Sequence, residues 1–106
     1  MDIADWRKKI DELDRRLVEL LNERANAAKE IGRLKRNTNM PIYEPDREKK
    51  VFENVKAMSK GPLPNQELQH IFERIMDVMR KLQQEEIQAK PAATSGQTEF
   101  DIEVNE

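Results

Sequence analysis

Apolar residues along the first third of the chain recur in alternating steps of three and four, through Ile3, Trp6, Ile10, Leu13, Leu17, Leu20, Arg24, Ala27, Ile31 and Leu34. This is the heptad spacing of a helix packed along one side. It predicts a first helix from about Asp2 to Thr38, ended by the breaker Asn37-Thr38-Asn39-Met40-Pro41. Such a helix is roughly 55 Å long at 1.5 Å per residue, far longer than a small globule needs. A second amphipathic segment starts near Pro45, with Glu44, Asp46 and Glu48 where the helix dipole favours acids. It carries Val51, Phe52, Val55 and Met58 inward and stops at Gly61-Pro62. A third, capped by Asn65, sets Leu68, Ile71, Phe72, Ile75, Met76, Met79 and Leu82 on one face and fades before Pro91. No strand pattern precedes residue 90. From Lys90 the periodicity is lost and small and acidic residues dominate, so residues 1–89 read as one domain and 90–106 as a disordered acidic tail or linker. Within that tail Phe100, Ile102 and Val104 alternate with acids, the pattern of a strand belonging to something else.

Two shorter helices of the same chain cannot cover the long helix along its whole length. The expected fold is therefore all-α, three helices forming an intertwined helical homodimer with a shared core. Composition points the same way, since 106 residues with 5% aromatic, 37% hydrophobic and 38% charged content offer little material for a private core. Gly32, inside the first helix, costs about 1 kcal/mol against Ala, which suggests close backbone packing there or simple tolerance.

The chain has no cysteine and one histidine, His70, which argues against a disulfide framework, a thiolate metal site or a histidine cluster. Its formal charge of −2 argues against a nucleic-acid partner. No apolar run reaches membrane length, and Asp2, Asp5 and Arg7-Lys8-Lys9 interrupt the start as no signal peptide would. A soluble, cytoplasmic protein with no membrane partner is expected.

Basic residues must then be read locally. Arg24 interrupts the apolar seam, and a guanidinium there is costly to bury unless an anion meets it. An intramolecular ion pair or a snorkelling side chain is the plain alternative. Lys35 lies eleven residues further on and points in nearly the same direction, roughly 16 Å along the axis, so both long side chains can reach one small anion. Arg7 lies seventeen residues before Arg24, roughly 25 Å away, so it can join such a site only from a second protomer with antiparallel long helices. Glu44, Arg47 and Glu48 stand at the entry to the second helix, where exposed N–H groups and mixed charge suit a polar ligand. Gln83, one turn beyond Met79, offers a donor and an acceptor at the edge of the third helix. Each of these also reads as ordinary surface chemistry when taken alone.

Together they resemble the helical, AroQ-type chorismate mutases over about residues 4 to 88. The stretches that carry the likeness are WRKKIDELDRRL (Trp6–Leu17), LLNERANAAKEIGRLK (Leu20–Lys35), PIYEPDRE (Pro41–Glu48) and LQHIFERIMDVMRKLQ (Leu68–Gln83). Within that family GPLPNQELQHIF and LQQEE look most like the mutase domain found ahead of some bacterial DAHP synthases, which would make the acidic tail a linker and a DAHP synthase a possible partner.

The resemblance implies the Claisen rearrangement of chorismate to prephenate in the Phe/Tyr branch of aromatic amino acid biosynthesis. That unimolecular reaction requires no nucleophile, metal or cofactor. Carried over by position, Arg24 and the partner's Arg7 are carboxylate clamps, and Lys35 and Gln83 donate to the ether oxygen. Glu48 accepts from the ring hydroxyl, and Glu44 and Arg47 line the pocket. Two departures stand out: Met79 replaces a small hydroxyl residue of some relatives and cannot donate, and Glu44 replaces an Asp. Isochorismate-pyruvate lyase, a ligand-sensing module regulating a DAHP synthase, and a plain coiled-coil module are the competing functions.

Overall fold

A computed structural model describes residues 1–89, and the expectations for the tail from Lys90 onward, including Phe100, Ile102 and Val104, fall outside the described residues. Those residues form three helices and no strand: α1 (Ile3–Lys35), α2 (Pro45–Met58) and α3 (Asn65–Gln88). The all-α fold expected from the periodicity is the one observed.

α1 begins in a capping box. Asp5 N donates to Asp2 Oδ1 at 2.9 Å and Asp2 N to Asp5 Oδ2 at 3.2 Å, which satisfies two of the free donors at the helix start. It ends at Lys35, three residues before the expected stop, because Thr38 closes it from outside. Thr38 N donates to the Lys35 carbonyl at 3.0 Å and Thr38 Oγ1 to the same oxygen at 2.5 Å. Asn37 turns the chain at φ 65, a left-handed conformation that asparagine tolerates better than most residues. α2 starts with Pro45 in its first turn but ends at Met58 rather than at Gly61-Pro62. Ser59 already takes an extended backbone, and Gly61 at φ 79 makes the turn that Pro62 cannot. Met58, expected to face inward, is 69% exposed, one turn beyond Val55, the last α2 residue in the core cluster. Asn65 is the first residue of α3 and not its cap; that position falls to Pro64, which has no side-chain donor or acceptor.

α3 packs against both α1 and α2, while α1 and α2 do not pack on each other. The core is small. Val51 and Val55 of α2 meet Met76 of α3, with Phe52, Leu68 and Phe72 around them. On α1 the buried positions are Ala28, Gly32 and Lys35, one helical stripe near its C-terminal end. A Cβ added at Gly32 would stand 3.0 Å from Gln83 Cα and O and from Glu86 Cβ. Close backbone packing, one of the two readings of this glycine, is thus what the fold uses. Beside it Glu86 draws in Arg33 (Nε to Oε1, 3.0 Å), Lys29 (3.8 Å) and Arg36, fastening the end of α3 to α1.

The rest of the seam has no cover among the described residues. Ile3, Trp6, Ile10, Leu13, Leu17 and Leu20 are between 43% and 68% exposed. The described residues measure 53 × 35 × 15 Å with a radius of gyration of 17.9 Å, against about 12 Å for a compact domain of that size. No helix among the described residues is long and apolar enough to cross a membrane.

The Gly32 contact gives a direct test. Alanine gains about 1 kcal/mol of helix propensity there, but its methyl meets the α3 backbone, which cannot rotate away, and overpacking of this kind costs about 1–3 kcal/mol. Gly32→Ala is therefore expected to lower stability by about 1 kcal/mol in urea unfolding, whereas a gain would mean that α3 slides freely along α1.

Candidate active site

Because α1 and α2 lie on α3 without touching one another, a gap opens between them, floored by α3. It is a cavity of about 400 Å³ lined by Arg24, Ala27, Ala28, Ile31 and Lys35 of α1, Ile42 and Glu44 of the connecting loop, Arg47, Glu48 and Val51 of α2, and Met76, Met79, Arg80 and Gln83 of α3. Seven of the eight residues singled out from the sequence lie on its wall: Arg24, Lys35, Glu44, Arg47, Glu48, Met79 and Gln83. Arg7 does not. It is exposed on the first turns of α1, away from this cavity, as its distance from Arg24 along the helix requires.

Lys35 is 5% exposed and sits at the junction of three segments. Its Nζ donates to the Pro41 carbonyl at 2.7 Å and to Gln83 Oε1 at 3.1 Å, and pairs with Glu44 Oε2 at 3.0 Å. These three acceptors match the three donors of an ammonium, the condition for burying one. Since Lys35 can only donate, it fixes the orientation of the Gln83 amide. The oxygen faces Lys35, and the NH2 is left for another acceptor. Glu44 precedes α2 and makes no capping bond there, its side chain being drawn to Lys35 instead.

Arg24 and Arg47 have the opposite character, for neither makes an ion pair among the described residues. The Arg24 guanidinium is held below its ordinary pKa, first by burial and then by repulsion from Arg47. Two uncompensated guanidiniums beside a saturated lysine make a cavity that favours a small anion carrying more than one charge. Met79 is buried and supplies an apolar wall, with no donor.

The sequence reading missed Arg80. It lies three residues before Gln83, a spacing that shares a helix face, and its guanidinium bonds Glu48 and Asp77. The Glu48 bond raises the Arg80 pKa above the usual arginine value. The i, i+3 step back from Gln83 was the available signal, hidden because Lys81 and Arg74 surround it with similar charge.

Fold and cavity define an all-helical scaffold that gathers cationic and amide donors around a small cavity. The chain belongs to the chorismate mutase type II family, whose pattern matches residues 6–84. It is 37% identical over 86 residues to the bifunctional chorismate mutase/prephenate dehydratase of Aquifex aeolicus, an alignment covering 77% of this chain and 24% of that protein. The chain thus spans about a quarter of the length of the curated bifunctional relatives it matches. In structure it is similar to the chorismate mutase of Thermus thermophilus, with a TM-score of 0.75 and 32% identity over 77% of this chain and 93% of that one. It is also similar to the chorismate mutase of Helicobacter pylori in complex with prephenate, with a TM-score of 0.75 and 26% identity, covering 83% of this chain and 97% of that one.

The arginine pair carries a stability consequence. Arginine stays charged throughout the neutral range, so the repulsion between Arg24 and Arg47 persists there and weakens the ligand-free fold. After solvent screening it amounts to about 0.5 kcal/mol. Arg47→Gln is expected to stabilise the free protein by that amount in urea unfolding at low salt, with the gain fading as salt rises. A loss of stability at low salt would mean that Arg47 has an attractive partner.

Proposed function

We propose that residues 1–89 form a catalytic domain that rearranges chorismate to prephenate, serving aromatic amino acid biosynthesis. The observation that carries this reading is the grouping of Arg24, Arg47, Lys35 and Gln83 around one cavity, with two guanidiniums lacking counter-charges. Chorismate is a dicarboxylate with an enol ether bridge and a ring hydroxyl. Its rearrangement breaks the ether C–O bond while a C–C bond forms within the same molecule, so the protein must hold the reactive conformer and stabilise charge growing on the ether oxygen.

In this reading the Arg24 fork grips one carboxylate, and the free NH2 of Gln83 donates to the ether oxygen together with Lys35. Lys35 begins with all three protons engaged, so a ligand oxygen takes the place of Glu44 on it, while the bond to Gln83 Oε1 keeps that amide oriented. Glu48 accepts from the ring hydroxyl, Arg47 and Glu44 tune the charge of the rim, and Met79 closes the wall.

Arg47 stands exposed at the rim, where it adds favourable charge, so the second carboxylate calls for a further cation to clamp it. Arg7 of a second copy, brought across by antiparallel α1 helices, supplies it, and the homodimer covers the exposed seam from Ile3 to Leu20. The likeness of GPLPNQELQHIF and LQQEE to mutase domains ahead of DAHP synthases supports a DAHP synthase partner and a regulatory role for the same pocket. The bifunctional relatives reported above carry a prephenate dehydratase instead, so that finer kinship rests on these two stretches alone. A cytoplasmic location fits the substrate. Isochorismate-pyruvate lyase is the competing chemistry, and the intact Asp46-Arg47-Glu48 favours the mutase. Following the loss of chorismate and of isochorismate with purified protein distinguishes the two.

Two predictions test the assignment of residues. Arg7→Ala and Lys35→Ala are each expected to be nearly inactive alone, yet to recover activity when co-refolded, because one site of each heterodimer then holds both residues. Absence of recovery in demonstrated heterodimers would place Arg7 outside the site or within its own chain's.

Gln83→Ala is expected to lower turnover about a hundredfold, with a smaller change in binding, as loss of one transition-state donor does. Gln83→Glu sets a carboxylate beside Lys35, which favours its ionised form and leaves it unable to donate until the pH falls below the ordinary glutamate range. Its activity should rise on acidification while circular dichroism stays constant, and a flat or falling profile of the folded variant would take Gln83 out of this role.

A further inference from the structure

Arg80 is the one cation on the cavity wall that family resemblance did not supply, and its surroundings differ from those of Arg24 and Arg47. Its guanidinium is held on three sides. Nη1 donates to Glu48 Oε2, Nη2 donates to an Asp77 oxygen one turn back on α3, and the Tyr43 ring lies 5.3 Å from Cζ. Arg80 also borders a shallow outer depression with Tyr43, Arg74 and Asp77, so it stands in the wall between cavity and solvent. With two carboxylates on it, its charge is already matched, and it is poorly suited to clamp a third.

What Arg80 does fix is Glu48. A glutamate in the first turn of α2, with a helix end on one side and a cavity on the other, has several rotamers open to it, and ordering one of them on ligand binding costs affinity. Arg80 takes Oε2 and leaves Oε1 with no protein partner among the described residues. Tyr43 and Asp77 in turn hold the planar fork that does this, so the acceptor is in place before a ligand arrives.

We propose that Arg80 is a positioning residue that presents Glu48 Oε1 to the hydroxyl of the ligand, an assignment that rests on the mutase reading. Arg80 acts only through Glu48, and Met79 beside it contributes no polar contact. The Tyr43–Arg80–Asp77 group is then a support that adapts this chain's α3 wall to the same chemistry.

The test is a double-mutant cycle on turnover of chorismate, with Arg80→Met, Glu48→Gln and the double variant, each checked for helicity and melting temperature. Each single substitution is expected to lower kcat/KM about tenfold, the worth of one charge-assisted hydrogen bond, and Arg80→Met should do so chiefly through KM. The double variant is expected to be no worse than Glu48→Gln alone, since a support without its acceptor has nothing left to support. Arg80→Lys should recover part of the loss, because an ammonium can meet Glu48 but not span both carboxylates. Arg74→Met, altering an arginine at the outer depression that makes no ion pair among the described residues, should leave the kinetics unchanged.

Losses that multiply to about a hundredfold in the double variant would overturn the proposal in favour of direct contact between Arg80 and the ligand. An Arg80→Met protein with unaltered kinetics would overturn it outright. If Arg80→Met does not fold, the cycle is run with Arg80→Lys against the same two outcomes. A wild-type protein that fails to consume chorismate removes the mutase reading and this proposal together, whereas an active wild type with multiplying losses removes only the proposal.

Discussion

The buried ammonium of Lys35 is the point on which site and fold both depend. It ends α1, reaches the loop at Pro41 and Glu44, and bonds Gln83 on α3, so one side chain ties three segments at one corner of the cavity. Without those acceptors a charge this deep would be costly, and without the charge the acceptors would be left buried and unmatched. The approach that makes this possible is the neighbouring contact at Gly32, where α1 and α3 come together closely enough for backbone to meet Cα. Glu86, clamped by Lys29, Arg33 and Arg36, holds the same pair of helices one turn further along. The geometry of Gln83 is thus set by packing on one side and by charge on the other.

The cavity is divided into two electrostatic kinds of cation. Lys35 and Arg80 are neutralised by carboxylates and serve to fix neighbouring groups. Arg24 and Arg47 repel one another across the opening, a cost to the free protein that a bound anion relieves. In the proposed function, an anion bound beside both would draw part of its affinity from relieving that repulsion, at the expense of stability in the free protein. That is a tolerable exchange only if the scaffold has stability from elsewhere, and the small core formed by Val51, Val55 and Met76 is not a large reserve. In the proposed homodimer the apolar seam of α1 would supply it. Its side chains from Ile3 to Leu20 face solvent in the single chain, and a second copy of the same helix offers both the area and the matching pattern.

How much of this could be read from the chain depends on whether the physical rule is local or not. Three helices, their order and the all-α class follow from apolar periodicity and from the breakers at Asn37–Pro41 and Gly61-Pro62, because helix formation is governed by neighbours within a turn or two. The ends were less legible. α1 stops at Lys35 because Thr38 folds back on the Lys35 carbonyl, and Pro64 rather than Asn65 precedes α3, since caps depend on where a side chain turns and not only on its type. Met58 kept the right period yet faces solvent, because periodicity gives a face but does not say how far the opposing helix extends.

For the site, the sequence determined which cations interrupt apolar faces, so that Arg24, Lys35, Glu44, Arg47, Glu48, Met79 and Gln83 were legible as a group once their spacing matched a known family. Helical spacing also excluded Arg7 from its own chain's cavity, by length alone. Only the tertiary structure decided which charges are matched and which are not. Lys35 turned out saturated, Arg24 and Arg47 unpaired, and Arg80 bridged between Glu48 and Asp77. Two of those contacts, Arg80 with Glu48 and Lys35 with Gln83, join residues 32 and 48 positions apart, and a charge in a sequence carries no sign of the partner that folding will bring within hydrogen-bond reach.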